Sequence, residues 1–386
     1  MQIHSFQYIK NKGWSVESFP QIDSENTLVL VFSSPFFLNY QVPIRQLADT
    51  YKKSKIIGCS TAGEIFGSHI VDESLAVAVI KFDKTALRLC TAKVAQPAES
   101  YKAGELIANE LQSLSLRSIF VLSDGLTVNG TALVKGLNAN PQKGLIITGG
   151  LAADGSHFSH TWTLCNGEIV DNYVVAVGFY GNHIHVGHAS QGGWDIFGPA
   201  RRITRSEGNI LYELDNQPAL QLYKEYLGER AAELPASGLL YPLAIKDGGT
   251  KNPVQLVRTI LGVDEKTQSL IFAGDMPMGY QAQLMRANFD RLITSAYEAG
   301  ELAKNRLYDK EEPLNCPVLA IAVSCVGRRL LLGERIEEET ESTLEALPPT
   351  TTQIGFYSYG ELSPFNLGSC ELHNQTMTLT TYYESN

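Results

Sequence analysis

The sequence predicts an α/β protein whose mixed sheets are built from repeated β-α-β plus hairpin units, in two domains with a cleft between them. Short apolar runs alternate with helix-spaced segments, the pattern of strands joined by crossover helices. The turn Gly58-Cys59-Ser60-Thr61-Ala62-Gly63-Glu64-Ile65 returns in altered form as Gly355-Phe356-Tyr357-Ser358-Tyr359-Gly360-Glu361-Leu362. A looser copy runs from Ile147 through Gly149-Gly150 to Asp154 and Gly155. At 386 residues the chain has room for two or three domains of about 150 residues each.

The first unit opens with the apolar run Thr27 to Phe32, which stops at Ser33-Ser34-Pro35. Ile44, Leu47, Ala48 and Tyr51 follow at helical spacing, and Lys55-Ile56-Ile57 leads into the first glycine turn. Two strands complete the unit, Leu75 to Ile80 and Leu87 to Thr91, joined through Phe82-Asp83-Lys84. The pattern then restarts. A strand from Ser118 to Leu122 ends at Ser123-Asp124-Gly125, a helix covers Gly130 to Gly136, and Gly144 to Ile147 enters the second turn. Tyr173 to Phe179 and His183 to His188 are the closing strands, linked by Tyr180-Gly181-Asn182. A third copy begins near Pro317 with a strand from Val318 to Val323, then a charged helix from about Arg335 to Leu347, then the turn at Gly355. The chain closes with an expected hairpin, Ser369 to His373 and Met377 to Tyr382, turning at Asn374-Gln375. In every copy the first strand ends in serine: Ser33, Ser123 and Ser324. A restart of strand, helix, strand and hairpin reads as internal duplication.

Between the second and third copies the pattern changes. Gly193 to Pro199 is rich in turn residues, and we place the domain boundary there, giving domains of 1–195 and 196–386. A strand, a turn and a strand follow from Arg202 to Asn216, and Pro218-Ala219-Leu220 begins a helix to about Leu227. Ala244 to Thr250 reads as an exposed loop.

Composition narrows the function. Hydrophobic residues make up 44%, so an ordinary buried core is expected. A net charge of −10 argues against broad nucleic-acid binding, which needs a basic face. It also argues against an anionic membrane surface as partner. No apolar run reaches the ~18 residues that span a bilayer, and the N-terminus lacks the basic and apolar regions of a signal peptide. The expectation is a cytoplasmic protein. The six cysteines form no Cys-x-x-Cys pair, so reduced buried thiols are expected.

The ordered set of motifs resembles the FIST domain family. Gly58 to Ile65 and Gly149 to Asp154 resemble the N-terminal FIST domain. Asp215 to Ala219, Ser324-Cys325-Val326-Gly327-Arg328, Gly355 to Glu361 and His373-Asn374-Gln375-Thr376 resemble the C-terminal one. The resemblance implies an intracellular sensor in signal transduction that binds a small ligand such as an amino acid. It also implies, for some members, a haem-binding nitric-oxide sensor acting on a histidine kinase. No kinase, receiver, cyclase or methyl-accepting segment follows Glu384, so output is expected to pass to a separate histidine kinase or cyclase partner.

The candidate ligand residues are Ser60, Thr61, Glu64, Asp154, Ser324, Cys325, Arg328, Tyr359, Glu361, His373 and Asn374. Ser60, Thr61 and Glu64 either line a pocket at strand ends or cap the next element with Glu64 solvated. Asp154 and Glu361 share that argument, and three acidic turn ends suit an ammonium group. Arg328 suits a carboxylate or phosphate, or else is a surface arginine beside a buried cysteine. His373 and Asn374 either meet a ligand, His373 as axial haem ligand included, or form the last turn. His183 and His185 share a strand face, but no third ligand stands at a diagnostic spacing, so no metal is assigned. Neither a Rossmann nor a Walker glycine pattern occurs. Cys325 has no base at recognisable spacing, so an enzyme using it is the minor reading, and the leading one is a non-catalytic sensor.

Overall fold

The computed structural model describes residues 1–140, 142–249, 255–308, 316–365 and 368–385. The α/β class and the mixed sheets stand as the sequence predicts, and the repeat is threefold. In the first unit Thr27–Ser33 and Lys55–Ser60 run parallel across the helix Val42–Thr50, with Ser74–Lys81 antiparallel beside the first strand and Gln2–Ile9 outside it. The second unit repeats this order with Leu116–Ser123, Ile146–Leu151, Tyr173–Tyr180 and Ala86–Lys93. The third does so with Val318–Cys325, Thr351–Ser358, Met377–Glu384 and Ile184–Gln191. Central strands such as Leu28 to Phe32 and Leu319 to Val323 are apolar on both faces because both faces are covered.

Each unit lends a hairpin to another. The first unit's hairpin (Glu64–Phe66, His69–Val71) pairs with Thr351–Ser358 of the third. The third unit's (Gly360–Pro364, Cys370–His373) pairs with Ile146–Leu151 of the second. The second unit's (Thr163–Cys165, Glu168–Val170) pairs with Lys55–Ser60 of the first. The exchange therefore closes in a ring. Residues 1–195 and 196–386 contribute strands to the same sheets, and a cut at 195/196 falls inside the strand Trp194–Ile196.

The repeated glycines have a backbone cause. Opposite-strand partners put Gly58 against Leu164, Gly149 against Leu362 and Gly355 against Ile65, so these glycines are equivalent. A Cβ at each would lie 2.1, 1.8 and 1.9 Å from the carbonyl oxygens of Val31, Val121 and Ala322 respectively. Only glycine admits so close a neighbour. Four residues beyond each turn glycine, the units lock together. The Ala62 N–H donates to the Tyr357 carbonyl (2.8 Å), Ala153 to Ser60 (2.9 Å) and Tyr359 to Leu151 (3.3 Å), a closed ring of three hydrogen bonds.

A module spanning Trp194 to Ala287 is inserted in the third unit, before the long helix Phe289–Leu307. Its strands and the helix Ala219–Leu227 enclose a core of their own around Leu211, Leu220, Leu270 and Phe272. Leu87 to Thr91 and His183 to His188 do not close the first and second units: Ala86–Lys93 and Ile184–Gln191 pair into the sheets of the second and third. Two further expectations fail here and at the C-terminus. Ala244 to Lys246 is not a loop: Leu243–Lys246 is a strand flanked on both sides, and Ala244 and Ile245 are buried. Thr250 lies outside the described residues. Cys370–His373 and Met377–Glu384 do not pair with each other. They belong to different sheets, because the preceding hairpin is lent to the second unit while the return strand stays in the third.

Candidate functional site

Most of the candidate residues predicted from the sequence lie at the interlocked turns, and there they hold the fold. The Ser60 hydroxyl accepts from the Trp162 N–H (3.1 Å). Thr61 donates to the Glu64 carboxylate, which also accepts from Ser74 N (3.2 Å) and Ser74 Oγ (3.0 Å). Glu361 repeats the arrangement: Ser358 Oγ donates at 2.7 Å, Thr376 N at 3.2 Å and Thr376 Oγ1 at 2.9 Å. Both carboxyls are sealed. Burial raises Glu64 and Glu361 to about 8 each, against the downward pull of those hydrogen bonds. They are not solvated, and they do not face an ammonium site.

Asp154 is not their counterpart. The register places Thr163 of the second unit where Glu64 and Glu361 stand, each directly before the residue opposite a repeated glycine. Asp154 instead begins an extra loop ahead of Thr163. Its carboxylate accepts from the N–H groups of Phe158 (2.9 Å), Ser159 (2.8 Å) and His160 (2.9 Å), and from the Tyr359 hydroxyl. Burial alone would raise Asp154, but the donors Tyr359, His160 and Ser159 outweigh it and hold the carboxyl below its ordinary range.

Arg328 is neither a surface residue nor an anion clamp. Its side chain is fully buried, and its Nε donates to Glu339 at 2.5 Å. Its other nitrogens donate to the Gly192 carbonyl and, at 2.8 Å, to the Leu292 carbonyl. Ser324 (3.1 Å) and Tyr357 (2.8 Å) donate to the same Glu339 carboxylate. Cys325 is buried, and burial with the nearby Glu361 carboxylate pushes its thiol up. A thiol held protonated is not a nucleophile. Asn374 is buried beside His373, and its side-chain amide meets no partner among the described residues.

Two predicted residues border cavities: Tyr359 lines one of about 170 Å³, and His373 lines another. The His373 cavity, of about 260 Å³, lies on the seam between the inserted module and the three-unit body. Gln255, Val257 and Met285 line it from the module; Gln191, Arg306, His373 and Thr376 line it from the body. Arg306 sits in the last turn of Phe289–Leu307. It donates to the His188 carbonyl at 2.8 Å, with its Nη1 3.3 Å from His188 Nδ1. Among the described residues no carboxylate lies within ion-pair distance of it. Burial first, then the charge of Arg306 and His373, pulls His188 down to about 4. Burial likewise takes His373 to about 4, against a 3.0 Å contact of its Nε2 with the Ser363 carbonyl. Both imidazoles are therefore neutral, and Arg306 is the one cationic group among the described residues that line the cavity.

Haem does not fit here. The cavity falls below the roughly 300 Å³ at which pockets begin to hold drug-sized ligands, and its walls carry Gln191, Gln255, Thr376 and Arg306 rather than an apolar slot. Among the described residues no group of three or more His, Cys, Asp or Glu is arranged to hold a metal ion. His185 is stacked on Tyr383, with centroids 4.5 Å apart. No helix among the described residues is long and apolar enough to cross a membrane.

Sequence reasoning missed Arg306, Gln255 and Met285. The helix that carries Arg306 has a readable signal: Leu292, Ala296, Ala299, Ala303 and Leu307 fall on one buried face.

Two family models match most of the chain. The FIST N domain model matches residues 27–217 and the FIST C domain model residues 219–364. A protein of Methanocaldococcus jannaschii carrying no assigned function is 24% identical over 348 residues, covering 82% of this chain. This chain spans 63% of that relative's length. Among solved structures, PurLQS from Thermotoga maritima aligns at 8% identity over 84% of this chain and 74% of that one, with a TM-score of 0.22. A cyanuric acid hydrolase from A. caulinodans aligns at 11% identity over 78% of this chain and 100% of that one, with a TM-score of 0.17.

Proposed function

The chain belongs to the FIST family, whose domains are associated with signal-transduction sensing, and we propose that it is a non-catalytic sensor for a small carboxylate metabolite such as an amino acid. The observation that carries this reading is Arg306, a partly buried guanidinium with no carboxylate partner among the described residues, in the wall of a metabolite-sized cavity. A ligand carboxylate supplies the missing counter-charge, and guanidinium geometry favours bidentate capture. The amide oxygens of Gln191 and Gln255 are acceptors for an ammonium group.

The cavity wall belongs to two bodies, so an occupant bridges them. A ligand that contacts both favours the arrangement in which the module rests on the body. Gly192 in the wall accepts from Arg328, which pairs with Glu339, whose helix Ile336–Ala346 presents Glu341 and Glu345 at the surface. That route leads from the cavity to a face open to a separate histidine kinase or cyclase.

The test is calorimetric titration with single amino acids and short carboxylates, beside the matching uncharged amides. We expect at least one carboxylate to bind saturably, its amide to bind weakly, and Arg306→Gln to lose about tenfold or more in affinity. A panel with no saturable carboxylate, or a ligand that Arg306→Gln binds as tightly as the parent, overturns the reading.

A further inference from the structure

The second unit breaks the threefold repeat at one place. In the first and third units the turn runs straight into Glu64 or Glu361 and the lent hairpin. In the second, residues 154–162 intervene before Thr163. Asp154 gathers this loop onto its carboxylate, and the path it imposes puts Phe158 at φ +49°. A bulky residue rarely takes that conformation, and such departures concentrate at functional sites. The outcome is an exposed ring: Phe158 is 41% exposed and stacks on Tyr359, with centroids 4.6 Å apart and planes at 11°.

Beside Phe158 lies a second cavity, of about 170 Å³. It stands beyond the carboxyl ends of the parallel strands Leu116–Ser123 and Ile146–Leu151, where open α/β sheets bind ligands. Its far wall, Phe272, Ala273 and Gly274, comes from the inserted module, and Leu126 and Leu261 stand exposed at its rim. Among the described residues that line it, none is charged. The chemistry is therefore unlike that of the Arg306 cavity, and a carboxylate would go unpaired there.

We propose that this cavity is a second ligand site, which takes an uncharged ligand with one small aromatic group, monocyclic or fused bicyclic, and stacks that group on Phe158. Its volume admits one such group, its apolar rim matches the aromatic edge, and the stacked pair beneath offers a flat face. Because the module forms one wall, an occupant here bridges the same seam as the first ligand. This site does not depend on the reading of Arg306.

Indole and phenol are the probes, with cyclohexanol as the non-aromatic partner of similar size. Binding is followed by ligand-observed NMR and calorimetry on the full chain. We expect saturable binding of indole, roughly three- to tenfold tighter than cyclohexanol. Phe158→Ala should weaken indole by about tenfold, Ala273→Leu should block it by filling the cavity, and Arg306→Gln should leave it unchanged. Thermal unfolding confirms that each variant is folded, and Leu126→Asp at the exposed rim serves as an independent variant expected to weaken indole. Absence of saturable binding, equal affinity for cyclohexanol, or indole binding that survives Phe158→Ala and Ala273→Leu overturns the proposal.

Discussion

Arg328 Nε lies 2.5 Å from Glu339 Oε1, and neither side chain reaches solvent. The pair is a joint between the third unit's strand end and its helix Ile336–Ala346, with Ser324 and Tyr357 completing the carboxylate's partners. Removing one member strands a buried charge. Glu339→Ala is expected to cost about 3–5 kcal/mol in denaturant unfolding, while the paired change Arg328→Met with Glu339→Leu costs much less. Equal losses for the single and the paired variant would show that packing, not charge, dominates the joint.

The sealed carboxyls of Glu64 and Glu361 give stability a pH dependence with a definite sign. Their folded values, about 8, lie above the ordinary glutamate range, so the folded state binds more protons. Stability from these groups is complete at low pH and is lost as pH rises through about 8. His188 and His373, depressed to about 4, act oppositely, losing their contribution as pH falls from about 6.5. The two effects offset each other in mild acid. Above about pH 6.5 the histidines are neutral in both states and only the carboxyls act. Unfolding free energy should therefore fall between about pH 6.5 and 8.5, and the double variant Glu64→Gln, Glu361→Gln should flatten that fall. An unchanged slope in the double variant would assign the effect to other groups.

The repeated glycines predict a graded loss that has nothing to do with ligand. A methyl at Gly149 meets the Val121 carbonyl at 1.8 Å, and its φ is +149°. At Gly58 the distance is 2.1 Å, with no such φ. Gly149→Ala should destabilise more than Gly58→Ala, each by more than the roughly 1 kcal/mol of an ordinary glycine substitution. Thermal unfolding of the two variants measures the order, and a tie or a reversal would show that the strands simply separate to make room.

How much of this was legible before the fold was known follows from what each feature depends on. Thr27 to Phe32 and Val318 to Val323 announce themselves as buried strands, because an apolar run between turn residues is a local property. The turn glycines were legible too, but their reason was not: proximity to Val31, Val121 and Ala322 exists only once strands pair. Which sheet a hairpin joins is equally tertiary, so the exchange among units left no local mark, and Cys370–His373 was misread as the partner of the next strand. Arg328 looked like a ligand clamp because Glu339 sits within the acidic run Glu337 to Glu341. Only the inward periodicity of Glu339, Thr340, Thr343 and Ala346 sets it apart. The extra loop obscured the second turn, where Asp154 seemed to match Glu64 while Thr163 held its place in the sheet.

Thiol reactivity separates the sensor from the enzyme reading. Cys325 is 3% exposed, and burial with the Glu361 carboxylate holds its proton, so no thiolate is available near neutral pH. Cys59 and Cys370 are equally enclosed, whereas Cys90, Cys165 and Cys316 are only partly buried. Brief alkylation of the native protein at pH 7.5, read by peptide mass spectrometry, should label Cys316, Cys90 and Cys165 ahead of the other three. All six should react in denaturant. Labelling of Cys325 as fast as Cys316 in the native state would mean that the third unit opens at its strand end. In that event Arg328, which Glu339 now neutralises, would become available to activate the thiol, and the nucleophile would return as a serious candidate.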